Sequence, residues 1–308
     1  MSKIAFLFPG QGAQTPGMGK DFYDNSPEAK AFYEEASKHL GLDLMELCFT
    51  ENDRLNQTEF TQPALTVTCL AMARAAMSRG LVPQVTAGLS LGEYSALAVA
   101  GGMEDLDAVE ITAKRGRLME HAVPAGVGAM AAVLGLSGDA ILEAIADIEG
   151  VSIANYNCPG QIVITGMAEA VARAGKVLQA KGAKRVIPLN VSGPFHSPFL
   201  TTAGEQLGQA LDQVELKSLT IPYVTNVTAQ YVETISETKA LLSAQVASSV
   251  RWQQSMELLI ADGVDVFVEI GPGRTLAGFL KKIDRSVKVY NIAAWEDLEK
   301  VTAEIAAL

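Results

Sequence analysis

The stretch VTAGLSLGEYSALAVA, residues 85–100, decides how this chain folds. Val85–Gly88 reads as a short apolar strand, and residues 92–100 read as a helix. Between them, Gly88-Leu89-Ser90-Leu91-Gly92 fits the pattern G-x-S-x-G. In that pattern the chain turns sharply from strand to helix, and glycines keep side-chain bulk low. The serine then projects at the C-terminal end of the strand. The helix that follows supplies free backbone N–H groups and the positive end of its dipole, which suit an oxyanion. Ser90 is therefore a candidate nucleophile. The plainer reading is a small-residue turn in which Ser90 only caps the helix.

Working outward, Lys3–Phe8 reads as a strand ended by the loop Pro9-Gly10-Gln11-Gly12-Ala13-Gln14. Pro27–Leu40 and Thr61–Arg79 have helical apolar spacing. Glu104–His121 reads as a helix opened by acidic residues that suit its N-terminal dipole. Beyond Pro198, helices are expected at Phe199–Val214, Glu237–Ala247, Gln253–Asp262 and Thr275–Ile283. Strands are expected at Ile221–Val227, Val264–Ile270 and Val287–Ile292. Strands alternating with helices predict a mainly parallel sheet covered on both faces. Residues 127–189 keep another rhythm. Strand, helix, two strands joined at Asn157-Cys158-Pro159-Gly160, helix and strand give βαββαβ, the ferredoxin-like order. The expected fold is thus α/β. A large α/β-hydrolase-like unit, 1–125 and 198–308, carries the parallel sheet, and a small ferredoxin-like subdomain is inserted at 126–197.

The chain has 308 residues, 49% of them hydrophobic, enough for one large core with a smaller inserted unit. Its formal net charge of −11 argues against nucleic acid as the main partner, since phosphate backbones need a basic face. Smaller anions are not excluded, because one well-placed arginine can bind a carboxylate. The apolar run Ile4–Phe8 stops at Pro9-Gly10, too short for a membrane span or a signal segment. Cys48, Cys69 and Cys158 match no zinc spacing and give no disulfide framework, so a reducing cytoplasm is the simple reading.

A serine nucleophile needs a base, and the chain has three histidines. His39 and His121 each end a helix, where capping is the ordinary role. His196 sits in Ser192-Gly193-Pro194-Phe195-His196-Ser197-Pro198, an irregular loop at the seam of the two units. It is the candidate by elimination, against the reading of a bland loop histidine. No acidic residue stands out as a third triad member, so a dyad with its imidazole oriented by a main-chain carbonyl fits better. Gln11 lies in a glycine-rich loop that could approach a ligand and supply a second oxyanion N–H, or could be an ordinary turn. Arg115, in Ala113-Lys114-Arg115-Gly116-Arg117, reads by itself as part of a solvated basic face. Gly116 argues the other way, since a mid-helix glycine marks close packing or ligand approach.

These motifs together resemble the malonyl-CoA:acyl-carrier-protein transacylases of bacterial fatty-acid synthesis. The matching stretches are FPGQGAQ at 8–14, TQPAL at 61–65, GLSLGEYSAL at 88–97, KRGRLM at 114–119, NYNCPGQIVITG at 155–166, GPFHSP at 193–198 and EIGPGRTL at 269–276. They run in family order along nearly the whole chain. The resemblance implies that Ser90 is acylated and His196 is the base. It implies that Gln11 and Leu91 form the oxyanion hole through backbone N–H groups, and that Arg115 pairs with the malonyl carboxylate. Phe195, Met119 and Gln62 fall on pocket positions, and Arg251 falls where the main-chain carbonyl orients the histidine. The implied substrate is malonyl-CoA, the product partners are coenzyme A and acyl carrier protein, and no bound cofactor or metal is expected. One departure is Leu89, which stands where many members have His. The competing readings are a serine thioesterase, a non-catalytic docking subunit, and an acyltransferase for another extender such as methylmalonyl, against which Phe195 leans.

Overall fold

The computed structural model describes residues 2–308. Among these residues, nine strands form two sheets. In chain order they are β1 Ile4–Phe8, β2 Val85–Gly88, β3 Gly128–Leu134, β4 Val151–Cys158, β5 Gln161–Met167, β6 Arg185–Pro188, β7 Tyr223–Val224, β8 Val266–Ile270 and β9 Lys288–Ile292. The first sheet has the order β7-β2-β1-β8-β9, with every neighbouring pair parallel. The second has the order β4-β5-β3-β6 and is antiparallel throughout. Counted within their own unit, those four strands run 2-3-1-4, which is the ferredoxin-like order expected from βαββαβ.

The parallel sheet is buried at its centre because β1 is apolar at every position and β2 and β8 depart from that only at Thr86 and Glu269, while the edge strand β9 carries Lys288 and Asn291 and is more exposed. Along β1, Phe6 and Phe8 point into one core and Ala5 and Leu7 into another, as the two-residue period of a strand requires. The central helix Thr58–Ser78 is buried along most of its length, which explains its weak amphipathic pattern. A third core under the antiparallel sheet gathers Ile141, Ile153, Ile162, Ile164, Val171 and Leu178. The small sheet is stitched to the larger unit at Val250. Its N–H donates to Ala154 O at 2.8 Å and its carbonyl accepts from Tyr156 N–H at 2.9 Å.

Two expectations change. The strand at Ile221–Val227 shrinks to Tyr223–Val224, because the chain leaves the sheet to bring Thr225 and Asn226 beneath the Ser90 turn. Short helices at Lys20–Asn25 and Leu44–Phe49, absent from the sequence reading, cap the helical layer. No helix among the described residues is long and apolar enough to cross a membrane.

Candidate active site

Ser90 lies two residues past the end of β2, with φ of 52°. That is the left-handed region, which a non-glycine residue adopts at a cost of about 1–3 kcal/mol and which clusters at functional sites. The turn depends on missing side chains. A Cβ on Gly88 would come 2.0 Å from the Gly92 carbonyl, and one on Gly92 would come 2.1 Å from Phe8 O. Asn226 pins the turn. Its Oδ1 accepts from Ser90 N–H at 2.6 Å and its Nδ2 donates to Gly88 O at 2.7 Å.

The loop after β1 lies against this turn, since a Cβ on Gly10 would sit 2.6 Å from Leu89 O. The Gln11 side chain donates to Thr58 Oγ1 at 3.0 Å. Among the described residues, the main-chain N–H groups of Gln11 and Leu91 have no acceptor. Both residues therefore have a free donor beside the serine, as an oxyanion hole needs.

His196 lies buried in its loop, also with positive φ, 58°. Its Nε2 is 2.7 Å from Ser90 Oγ, and its Nδ1 is 2.9 Å from Gln245 O. A carbonyl can only accept, so Nδ1 carries the proton and Nε2 is left to take one from the serine. The orienting carbonyl is therefore that of Gln245 and not of Arg251, a correction with a simple cause. Gln245 ends the helix Ile235–Gln245, and the last carbonyls of a helix have no partner within it. Arg251 instead caps the start of the helix Trp252–Ala261, and its carbonyl is taken by Ser255 N–H at 3.0 Å. No carboxylate bonds to His196 among the described residues.

Burial pushes the His196 imidazole down to about 4, with the charge of Arg115 adding to it; the carbonyls of Gln245 and Ser248 pull the other way. Burial wins because imidazolium loses its water there. The base is the neutral form, so lowering its pKa extends activity toward acid. We expect the acidic limb of kcat/KM to fall near pH 4, and not near the ordinary histidine value of 6.5. The check is the rate of Ser90 acylation from pH 3.5 upward, with the fold followed by circular dichroism. An acidic limb at 6.5 or above would contradict the burial argument.

Arg115 is not on a solvated face. It is 1% exposed, while Lys114 beside it pairs with Glu110 at 2.7 Å on the outside of the helix Asp105–Glu120. Its Nη1 donates to Gln62 Oε1 at 2.9 Å. Its Nη2 donates to Gln245 Oε1 at 2.9 Å and to Ser90 Oγ at 3.2 Å. All three acceptors are neutral, so the guanidinium is buried on amide and hydroxyl oxygens. Gly116 serves helix packing, since a Cβ there would come 2.8 Å from Thr58 O.

Ser90, His196, Arg115, Gln11, Met119 and Phe195 line one cavity of about 200 Å³, with Leu89, Asn155 and Asn157 on its walls. Gln62 is not in that wall. It stands behind Arg115, fully buried, with its amide also donating to Met119 Sδ at 3.5 Å. Sequence reasoning missed Gln245, Asn226 and Glu93. Glu93 is wholly buried one helical turn past Ser90 and accepts from Gln245 Nε2 at 2.6 Å. Its position inside the elbow helix was the one available signal. Chemically, the site offers a hydroxyl with a neutral base, two free amide donors, and a buried cation within reach of the nucleophile.

The chain matches the acyl transferase domain family over residues 5–300. It is 45% identical over 304 residues to the malonyl CoA-acyl carrier protein transacylase of Bacillus subtilis, covering 97% of this chain and 96% of that one. The crystal structure of the enzyme of that name from Clostridium perfringens superposes with a TM-score of 0.95 at 41% identity, covering 99% and 98% of the two chains. A type II PKS acyl-carrier protein in complex with its malonyl-transacylase gives a further likeness. That transacylase has a TM-score of 0.95 at 37% identity, with 98% and 100% covered.

Proposed function

Since this chain belongs to the acyl transferase domain family, we propose that it moves a malonyl group from malonyl-CoA to the phosphopantetheine thiol of an acyl carrier protein, through a malonyl-Ser90 intermediate. The observation that carries the reading is the convergence of Ser90, His196 and buried Arg115 on one cavity.

The reaction runs in two halves. His196 Nε2 takes the Ser90 proton as Oγ attacks the thioester carbonyl. The oxygen, now an anion, is held by the N–H groups of Gln11 and Leu91. The imidazolium is stabilised by the Gln245 carbonyl at the negative end of its helix. Collapse expels the coenzyme A thiolate, which takes the proton back from His196. In the second half the carrier thiol gives its proton to His196 and attacks the malonyl ester, and Ser90 leaves reprotonated. Arg115 holds the free carboxylate bidentately. One thioester is exchanged for another, so the step asks for no metal or redox group.

The test is intact-protein mass after adding malonyl-CoA, then carrier protein. A malonyl adduct that disappears only when carrier is added, with malonyl-carrier formed in equal amount, supports transfer. Loss of the adduct to water at the same rate without carrier would make the protein a thioesterase.

We take residues 126–197 as the inserted unit that walls the cavity from above, supported by the separate antiparallel sheet. We also place the protein in the cytoplasm, in keeping with three buried free cysteines. Carrier proteins are generally acidic, so docking should use a local basic patch despite the net charge of −11. Lys181, Lys184 and Arg185 form one exposed cluster, and Lys281, Lys282 and Arg285 another. The second lies at the far end of the helix Thr275–Ile283, whose Thr275 and Phe279 line the cavity. Charge reversal at both clusters should raise the carrier KM at low salt about tenfold or more and leave the malonyl-CoA KM alone. An unchanged carrier KM would exclude both patches.

A further inference from the structure

The working groups of the site are held by two residues, Gln245 and Asn226, through both side chain and main chain. Gln245 takes His196 Nδ1–H on its main-chain carbonyl, holds Arg115 on Oε1, and donates from Nε2 to Ser90 O at 3.0 Å. Asn226 takes Ser90 N–H and donates to Gly88 O. Both residues converge on one atom. Glu93 Oε2 accepts from Gln245 Nε2 at 2.6 Å and from Asn226 N–H at 3.1 Å. The Glu93 side chain is wholly buried, and its Oε1 has no partner among the described residues.

We infer that Glu93 is a positioning residue for the transfer reaction, setting the nucleophile turn and the base together through Asn226 and Gln245. The inference rests on the function proposed above. The physical case begins with cost. A buried carboxyl with one oxygen unsatisfied is unfavourable, so the fold keeps it against a penalty. Packing alone would favour an apolar residue at this fully enclosed place. A carboxylate does what such a residue cannot. As an acceptor only, it forces the Nε2 end of Gln245 toward itself, which leaves Oε1 facing the Arg115 guanidinium. It also puts a negative charge one amide away from a buried cation whose own contacts are neutral. Burial lifts the Glu93 carboxyl to about 7, and the donors Gln245 and Asn226, the Thr225 hydroxyl and, least, the charge of Arg115 act to lower it.

The experiment compares wild type with Glu93→Gln, Glu93→Asp, Gln245→Ala and the double variant Glu93→Gln/Gln245→Ala. Rates are counted per acylatable Ser90, measured by intact mass, so that unfolded protein drops out. Glu93→Gln keeps the shape but loses the charge and turns one of the two acceptor oxygens into a donor. Its kcat should fall about ten- to hundredfold, as expected when reacting groups lose their geometry. The loss should be shared by malonyl-CoA and acetyl-CoA, because turn and base serve both thioesters. The rate of Ser90 modification by phenylmethanesulfonyl fluoride should fall with it. Glu93→Asp should recover part of the rate. The double variant should lose little more than the worse single one, because both changes cut the same link. Full additivity, a loss confined to malonyl-CoA, or an unchanged kcat in Glu93→Gln would each overturn the inference. Absence of malonyl transfer by the wild type would instead overturn the function it rests on.

Discussion

Ser90→Ala is expected to abolish the malonyl adduct, and His196→Ala to slow acylation of Ser90 by about four to six orders of magnitude, the loss seen when a serine–base pair is broken. The argument is geometric first. The hydroxyl and Nε2 are 2.7 Å apart before any substrate enters, and the far nitrogen is fixed on a carbonyl. An unassisted serine is a poor nucleophile at neutral pH, and no second base bonds to it. Both substitutions keep the left-handed backbone where it already is, and neither introduces bulk. The variants should therefore fold, with Tm within a few degrees of wild type. The other two histidines serve as controls. His39 pairs with Glu110 at 2.8 Å on the surface, and His121 closes the helix Asp105–Glu120. Alanine at either should leave acylation unchanged. Rapid-quench mass spectrometry reads all four variants, and activity loss at His39 or His121 but not at His196 would move the base.

How much of this was legible in the sequence depends on whether a role resides in a side chain or in the backbone. The elbow was legible because strand, glycine spacing and helix leave their mark in residue type. So was His196, because imidazoles are scarce in this chain. The parallel and antiparallel sheets followed from the rhythm of apolar segments, and the order of β3 to β6 followed from βαββαβ. The orienting carbonyl was not legible in the same way. Every residue has one, and only the end of the helix at Gln245 marks which has no partner within its helix. Arg251, which the resemblance implied for this role, is six positions past the residue whose carbonyl holds His196. The burial of Arg115 was hidden by its neighbours Lys114 and Arg117, which do face outward, at positions one and two residues away on a helix. Glu93 was hidden because an acid in the first turn of a helix is ordinary dipole chemistry. Its burial is a property of the layers above it, not of the helix.

Arg115 carries the other large effect. Arg115→Ala is expected to lower kcat/KM for malonyl-CoA by two orders of magnitude or more, while acetyl-CoA transfer stays level or rises. A carboxylate entering this cavity leaves water, and unpaired it would cost several kcal/mol. Breaking a buried charge pair costs roughly 3–5 kcal/mol, and each 1.36 kcal/mol is a factor of ten. In the free protein the guanidinium bonds to Gln62, Gln245 and Ser90, all neutral oxygens, with Glu93 one amide away, so the malonyl carboxylate brings the first directly bonded counter-charge. Acetyl-CoA brings none. It must react beside a cation with no directly bonded counter-ion, which also lowers the basicity of His196. Removing Arg115 lifts that burden, which is why the acetyl rate should not fall. Lysine should restore malonyl transfer only in part, since a point charge cannot span both carboxylate oxygens. The measurement is kcat/KM for both thioesters with wild type, Arg115→Ala and Arg115→Lys. Equal losses for malonyl and acetyl would show that Arg115 holds the fold and does not read the carboxylate. That outcome has a structural route, because Gln62 and Gln245 would each lose a donor. The ratio of the two thioesters, and not the malonyl rate alone, therefore decides the role.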